Sequence, residues 1–357
     1  MAANELAYGF VGLEHIMAQR IADGNVQRVF DAIRLSTQYH TEQVNALLGS
    51  MVRRTTEYKK RYMLPGGGTL QPLDANGNPL PVRDEGYYDV AFPIQGGGTA
   101  WADDRVSRAL MTVEEANRRV LNAQRMDANW LRRHIFGALF FEEAWTWTDP
   151  LYGALSVQPL ANGDTVTYLK SDGTMATDDH YLAQAAAIAD VTNPYDDIYD
   201  ELAEHPVNAG ADIVCYIPTA LKATTMALTA FIEVGDPDLR YGVSTDQIGR
   251  SFDRGFGDEV LGKVNKCWIV EWKALPATHM IAHARGTEPV LWMREYEAAS
   301  LQGFFPENFD VDGNHQGARL IRYCGFGVAN RVGALVQYIG SDTYAEPTGY
   351  DSLPLPA

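Results

Sequence analysis

Eight residues from Gly257, GDEVLGKV, come within one position of a phosphate-binding loop. Such a loop wraps phosphate oxygens with backbone N–H groups and places a Ser or Thr after its lysine to hold magnesium. Here Val264 fills that place, no clear strand precedes the run, and VNKCWIVEW after it reads as strand where the chemistry needs a helix. The segment therefore reads as a surface loop. GFGVAN at 325–330 opens like a dinucleotide fingerprint, but the third glycine is missing and no helix follows. Asp74, Asn76, Asn78 and Glu85 sit at calcium-loop spacing in DANGNPLPVRDE. Pro79 stands where an EF-hand needs glycine, and flanking helices are lacking, so this run reads as a hairpin tip. DVDGNH at 310–315 falls short in the same way.

His279 and His283 are an i, i+4 pair in a predicted strand. There they point the same way but stand too far apart to share a metal, and no HExxH run supports one. They read as satisfied structural histidines. Cys215, Cys267 and Cys324 are scattered without zinc or CxxC spacing, as in a reduced compartment. No GxSxG is present. The acidic run YDDIYDE at 195–201 offers a carboxylate pair, but such runs are more often a solvated helix face. No catalytic residue, cofactor or metal-ligand set is expected, and the chain is not expected to be an enzyme.

The formal net charge of −17 argues against a grip on nucleic acid, which needs a basic footprint to displace phosphate counterions. The longest apolar run, IFGALFF at 135–141, is far short of the roughly 18 residues that would suggest a membrane span. The first residues, MAANELAYGF, lack the basic-then-apolar pattern of a secretory signal.

The elements that would position any site are clearer. Residues 1–52 read as helical, with Leu13, Ile16, Met17, Ile21, Val26, Val29, Phe30 and Ile33 at helical spacing, a break near Gly24, and a second run of Val44, Leu47, Leu48 and Met51. From Pro65 to Gly98 two triple-glycine runs bracket a proline-rich stretch. Its Asn76-Gly77 pair is a strong hairpin signal, with TLQPL and LPVR as the strands and Gly66–Gly68 and Gly96–Gly98 as hinges. An isolated hairpin is marginal in water, so its apolar residues need a neighbour. Thr112 and Glu115 then make a capping box ahead of a helix running to about Phe140, roughly 42 Å long. On it Arg118, Arg125 and Arg132 recur every seven residues. YLAQAAAIADV (181–191), PYDDIYDELAEH (194–205) and TALKATTMALTAF (219–231) read as helices. ADIVCYIP (211–218), KCWIVEWKAL (266–275), HMIAHA (279–284) and PVLWMREY (289–296) read as strands. ARLIRYCGFGVANRVGALVQYIG (318–340) reads as two long strands joined through Gly325, Gly327 and Asn330.

This order of helical arm, glycine-bracketed hairpin, long capped helix, ADIVCYIPTALKATT (211–225) and FDVDGNHQGARLIRYCGFGVANRVGALV (309–336) resembles the major capsid protein of tailed bacteriophages, the HK97 fold. The resemblance implies an α+β fold with an N-terminal arm over 1–52, an extended E-loop over 53–100 and a peripheral domain over 101–175 that holds the spine helix 112–140. It further implies an axial domain over about 176–295, closing strands of the peripheral domain over 296–340 and a tail over 341–357. In that family the E-loop lies across an adjacent subunit. Leu70, Leu73, Asn76, Gly77, Leu80, Tyr87, Tyr88 and Phe92, with Arg118, Arg125 and Arg132 of the helix, are then the expected inter-subunit contacts. The implied function is self-assembly into hexamers and pentamers of an icosahedral shell. It would form in the host cytoplasm, become part of the virion and enclose double-stranded DNA without sequence-specific binding or membrane contact. Portal, scaffold or decoration proteins are the implied partners. Only about 50 residues precede the E-loop, so no removed scaffolding segment is expected. Encapsulin nanocompartments share the fold and are the alternative; a soluble enzyme is a third reading.

Overall fold

The computed structural model describes residues 26–48, 51–63, 72–78, 87–103, 110–236, 257–310 and 316–349. In chain order its elements begin with α1 (Val26–Leu48), β1 (Val52–Thr55), β2 (Lys59–Met63), β3 (Tyr87–Ala91), β4 (Gln95–Asp103) and α2 (Val113–Phe140). Then come β5 (Trp145–Asp149), β6 (Gly153–Val157), β7 (Gly163–Leu169), β8 (Met175–Asp179), β9 (Tyr181–Gln184), α3 (Pro194–Ala203), β10 (Asp212–Ile217) and α4 (Thr219–Met226). The last are β11 (Phe231–Glu233), β12 (Glu259–Val264), β13 (Cys267–Glu271), β14 (His279–Arg285), β15 (Leu291–Arg294), β16 (Phe304–Asp310), β17 (Gln316–Val328) and β18 (Ala334–Ile339). The class is α+β, as expected. The chain divides into two compact units, one of residues 1–46, 95–132 and 295–324, the other of 47–94, 133–294 and 325–357.

In the first unit α2 starts as the capping box requires. Thr112 Oγ1 accepts the N–H of Glu115 at 3.2 Å, and Glu114 and Glu115 complement the positive helix end. The helix buries Ala116, Val120, Ala123, Asp127 and Leu131, a stripe at three- and four-residue spacing. Asp127 is the only charged residue of that stripe. It is held by Arg322 of β17 through two hydrogen bonds, from Nε to Oδ1 at 2.6 Å and from Nη2 to Oδ2 at 2.8 Å. His40 of α1 closes on the same carboxylate, 2.8 Å from Oδ2. Burial alone would raise the Asp127 pKa, but the hydrogen bonds from His40 and Arg322 outweigh it and the carboxyl stays below its ordinary range. Ala123, Phe304 and Leu320 pack beside this pair.

Strands β4 and β16 flank β17, which pairs with both along residues 316–322. Here lies one correction. Gly96–Gly98 are part of β4 and not hinges. A Cβ on Gly96 would meet the Tyr323 ring at 2.7 Å, and one on Gly97 would meet the Trp130 ring at 2.8 Å. The glycine run lets two aromatic rings lie directly on a strand.

The second unit is built on a seven-stranded sheet in the order β11-β12-β13-β10-β14-β18-β9. Helix α3 covers it, burying Tyr195, Ile198 and Leu202 against Ile213, Cys215, Ile217 and Met280. Asn193 caps α3 by accepting the N–H of Tyr195 at 3.2 Å, with Pro194 at the first helical position. The same unit contains the ladders β2–β3, β5–β6 and β7–β8, and a pairing of β1 with β15 and of β15 with residues 325–328.

Four sequence expectations change. Residues 181–191 form β9, then bends and the start of a 3-10 turn at Asp190–Thr192, not an α-helix. The alanines give that run helix propensity but no buried face, and its backbone groups are taken elsewhere: Gln184 O accepts from Gly340 N at 2.8 Å, and Ala185 N donates to Asp342 at 2.8 Å. Helix α4 stops at Met226, because Asp190 claims both the N–H and the hydroxyl of Thr229, at 2.8 and 2.7 Å. GDEVLGKV holds the sheet strand β12, not a surface loop. Finally, Gly325 and Gly327 lie inside β17 and do not join two strands. The backbone at Pro93 and Ala91 crosses too closely for any Cβ, within 2.0 and 2.7 Å of where each would stand. β18 then enters a different sheet.

The buried pair yields a stability test. Arg322→Met leaves Asp127 buried without its partner, so the denaturant midpoint should fall by the equivalent of about 3–5 kcal/mol. Arg322→Met with Asp127→Leu should recover most of that loss in the same urea titration.

Candidate interaction surface

The arm at 59–63 and 87–91 is held by alternation. Lys59 faces Ala91, Arg61 faces Asp89, and Tyr62 faces Tyr88 across the ladder. Arg61 grips Asp89 through Nε and Nη2 at 2.7 and 2.9 Å, and Lys59 adds a third contact at 3.0 Å. The hydrogen bond from Arg61 holds the Asp89 carboxyl down at about 2. The Arg61 guanidinium also lies over the Tyr87 ring at 3.8 Å, and Tyr62 stacks on Tyr88 at 5.0 Å.

The arm has a fixed root. Phe92 is wholly buried and stacks on Trp292 at 5.4 Å, while its N–H donates to Tyr58 O at 2.9 Å. Arg53 lies 4.8 Å above Trp292. Lys60 lies 4.5 Å from both Trp292 and Tyr62 and pairs with Glu288. Arg294 secures the same point, donating to Phe92 O and to Asp149, each at 2.9 Å. Further out burial stops. Tyr87 is 57% exposed and its ladder partner Met63 65% exposed.

The turn at 74–78 forms as its Asn-Gly pair predicts. Gly77 has φ of 77°, and Asp74 accepts the N–H groups of Asn76 and Asn78 at 2.9 and 2.8 Å. Leu73 beside it is 63% exposed. The strands expected beside the turn, with Leu70 and Leu80 and the glycines 66–68, lie outside the described residues, as do the apolar positions Leu13, Ile16, Met17 and Ile21 of the arm.

The expected contact set therefore divides. Leu73, Asn76, Gly77 and Tyr87 are exposed, and Tyr88 is half-buried with its ring 6.3 Å from Tyr168. Phe92 is a correction: it is spent inside its own chain, because the Trp292 ring already covers it. Exposed Met63 was not among the expected residues; the alternating KKRYM ahead of Pro65 was its signal.

Arg118, Arg125 and Arg132 are all exposed on α2. Arg132 donates to Asn129 at 3.0 Å, whereas Arg118 and Arg125 form no ion pair among the described residues. Leu121 and Met126 are exposed beside them. The other motif residues prove structural. His279 is held between Thr278 and the carbonyl of Ala345, at 3.0 and 2.9 Å, and His283 stacks on Tyr216 at 5.7 Å. In the acidic run, Asp196, Asp197 and Asp200 are exposed on α3.

No family model matches the chain, and no curated protein matches it. A solved structure from Mycobacterium phage Patience superposes with a TM-score of 0.70 at 16% identity, over 98% of this chain and 98% of that one. The chain has the fold of that phage protein. Two further structures match at lower similarity: the mature capsid of bacteriophage PhiM1, at a TM-score of 0.47 and 10% identity over 81% of this chain and 86% of that one, and the capsid of Ralstonia phage GP4, at 0.46 and 12% over 85% and 89%. Among the described residues no helix is long and apolar enough to cross a membrane.

The divided arm can be checked directly. Phe92→Ala should cost about 3–5 kcal/mol in chemical denaturation, whereas Tyr87→Ser should stay within about 0.5 kcal/mol. Equal losses at the two positions would show that the arm is buried along its whole length.

Proposed function

We propose that this chain is the major capsid protein of a tailed phage, assembling into hexamers and pentamers of an icosahedral shell. In this reading residues 53–100 are the E-loop, α2 is the spine helix, and the seven-stranded sheet belongs to the axial domain of an HK97-type subunit. The observation that carries it is the arm: a rigid internal root, and apolar side chains left uncovered at Met63, Leu73 and Tyr87. A chain that buried these residues itself would have no reason to clamp the root so firmly. The fold shared with a phage protein over nearly the whole of both chains supports the same conclusion. The partner for the arm is then a second copy of the chain. The shell forms in the host cytoplasm, persists in the virion, and encloses double-stranded DNA without gripping it, in keeping with the net charge of −17. Portal, scaffold and decoration proteins are its further partners.

Expression of the chain should give closed shells by electron microscopy. The triple variant Met63→Ser, Leu73→Ser, Tyr87→Ser should remain folded by circular dichroism but stop at monomers or single capsomers by light scattering. Each of these side chains is worth about 1.5–3 kcal/mol when buried, so the three together decide whether capsomers join. Shells of normal yield from the folded variant would refute the role given to the arm.

The exposed arginines make a separate test. Arg125→Glu should lower particle yield with an unchanged monomer melting temperature, since an exposed arginine contributes little to its own fold. An unchanged yield would mean that this face of α2 stays in solvent.

A further inference from the structure

Five ionisable side chains meet in the second unit where the β7–β8 hairpin touches the end of α3. Ser171 ties the hairpin turn to the helix, its N–H donating to Glu204 O at 2.5 Å and its hydroxyl to Ala203 O at 3.3 Å. Against this junction lie Asp178 at the end of β8, His180 just after it, Glu201 on α3, and Glu204 and His205 at its C-terminus. His205 Nε2 is 2.9 Å from Asp178 Oδ2 and 3.9 Å from Glu204 Oε1. One ligand atom from each of these three residues falls within 4.8 Å of the other two.

The imidazole is constrained on both sides. Its Nδ1 is 3.4 Å from the carbonyl of Leu169, which can only accept a hydrogen carried on Nδ1. In that tautomer the Nε2 lone pair faces a carboxylate oxygen, and a second ring proton or a metal ion joins the two; in the other tautomer Nε2–H donates to Asp178 directly. An Nδ1–H donated to a backbone carbonyl is the usual outer-shell support of a metal-ligating histidine.

Lys170 sits on both oxygens of Glu204, donating to Oε2 at 2.7 Å and lying 2.6 Å from Oε1, so a cation already pairs with this carboxylate. One further observation favours the metal. His180 is 2% exposed and turns its Nδ1 to Asp178 Oδ2 at 3.5 Å, while its Nε2 has no hydrogen-bond partner. A second buried imidazole therefore stands beside the carboxylate that His205 faces.

We propose that Asp178, Glu204 and His205 bind a borderline divalent cation of the zinc class. Two carboxylate oxygens and one imidazole nitrogen, with a fourth position left to solvent, suit zinc geometry, with ligand distances of about 2.0–2.2 Å. The ion would join the β7–β8 hairpin and the end of α3 at one point, with His180 beside Asp178. Lys170 is the rival cation on Glu204. Glu201, which shares a hydrogen bond with Asp178, completes the outer shell.

The full-length protein, stripped with chelator and exposed to zinc, should retain about one ion per chain after desalting, measured by plasma mass spectrometry. Cobalt in its place should give the intense visible bands of a low-coordinate site. Asp178→Asn and Glu204→Gln should each cut zinc affinity by at least about tenfold, the scale seen when even outer-shell partners are lost. Glu204 is only half-buried, so its variant keeps the test valid should Asp178→Asn fail to fold. Lys170→Met should strengthen binding by removing the competitor. Zinc retention no greater than in the folded Glu204→Gln variant would overturn the site and leave a proton between His205 and Asp178.

Discussion

The first unit turns on a charge that its long helix buries. Asp127 sits on the apolar stripe of α2, where an unpaired carboxylate would cost several kcal/mol. It is tolerated because Arg322 meets it with two parallel hydrogen bonds and His40 adds a third contact. That requirement fixes three elements together. Helix α1 must bring His40 to the middle of α2, and β17 must present Arg322 at the same height. An apolar contact at Asp127 could slide by a turn at small loss; a forked guanidinium cannot. The pair thus supplies register more than stability, and Ala123, Phe304 and Leu320 fill in beside it.

The glycines of β4 and β17 are a second constraint of the same kind. Trp130 and Tyr323 press onto Gly97 and Gly96, and the backbone of 91–93 presses onto Gly325 and Gly327. Each places a bulky group directly on a strand, which only a residue without Cβ permits. They set close approach rather than flexibility. The root of the arm is accordingly stiff, locked by Phe92 on Trp292 and by Arg294 between Phe92 O and Asp149.

Legibility in the sequence followed how local each cause was. The long helix was readable from Thr112, Glu115 and the apolar period, and the tip turn from Asn76-Gly77, because both are set within a few residues. The strands β10, β13 and β14 were readable as apolar runs. What failed was decided at long range. Residues 181–184 became strand because β18 paired with them, and Gly340 and Asp342 took the backbone groups at 184 and 185. The glycine runs looked like hinges because the rings that fill the missing side-chain space lie some 30 and 225 positions away. Of the expected contact set, Leu73 and Tyr87 are exposed, in keeping with hydrophobicity that has no local use in a turn-rich stretch. Phe92 is buried instead, because Trp292, which nothing near it in sequence announces, covers it. The cluster around Asp178 was missed altogether, since its members come from three separate elements.

Under the proposed shell function, a stiff root with a bare end would let one chain stay dispersed and yet assemble. Joining copies costs freedom of motion, and the cost grows with every side chain that must be ordered on contact. Here the ordering of Tyr62, Tyr88, Arg61 and Asp89 is complete before any partner arrives. Only the outer side chains remain to be fixed, so a small apolar area suffices. The same smallness guards against indiscriminate sticking. Met63, Leu73 and Tyr87 are few, they lie among Arg61, Asp74 and Asp89, and the chain carries a net charge of −17 that keeps copies apart until shape brings them together. On this view the excess acid and the exposed Arg118 and Arg125 are two sides of one device. General repulsion suppresses random encounters, and a few exposed cations on α2 give back attraction only where a neighbour's acidic surface comes into register with them.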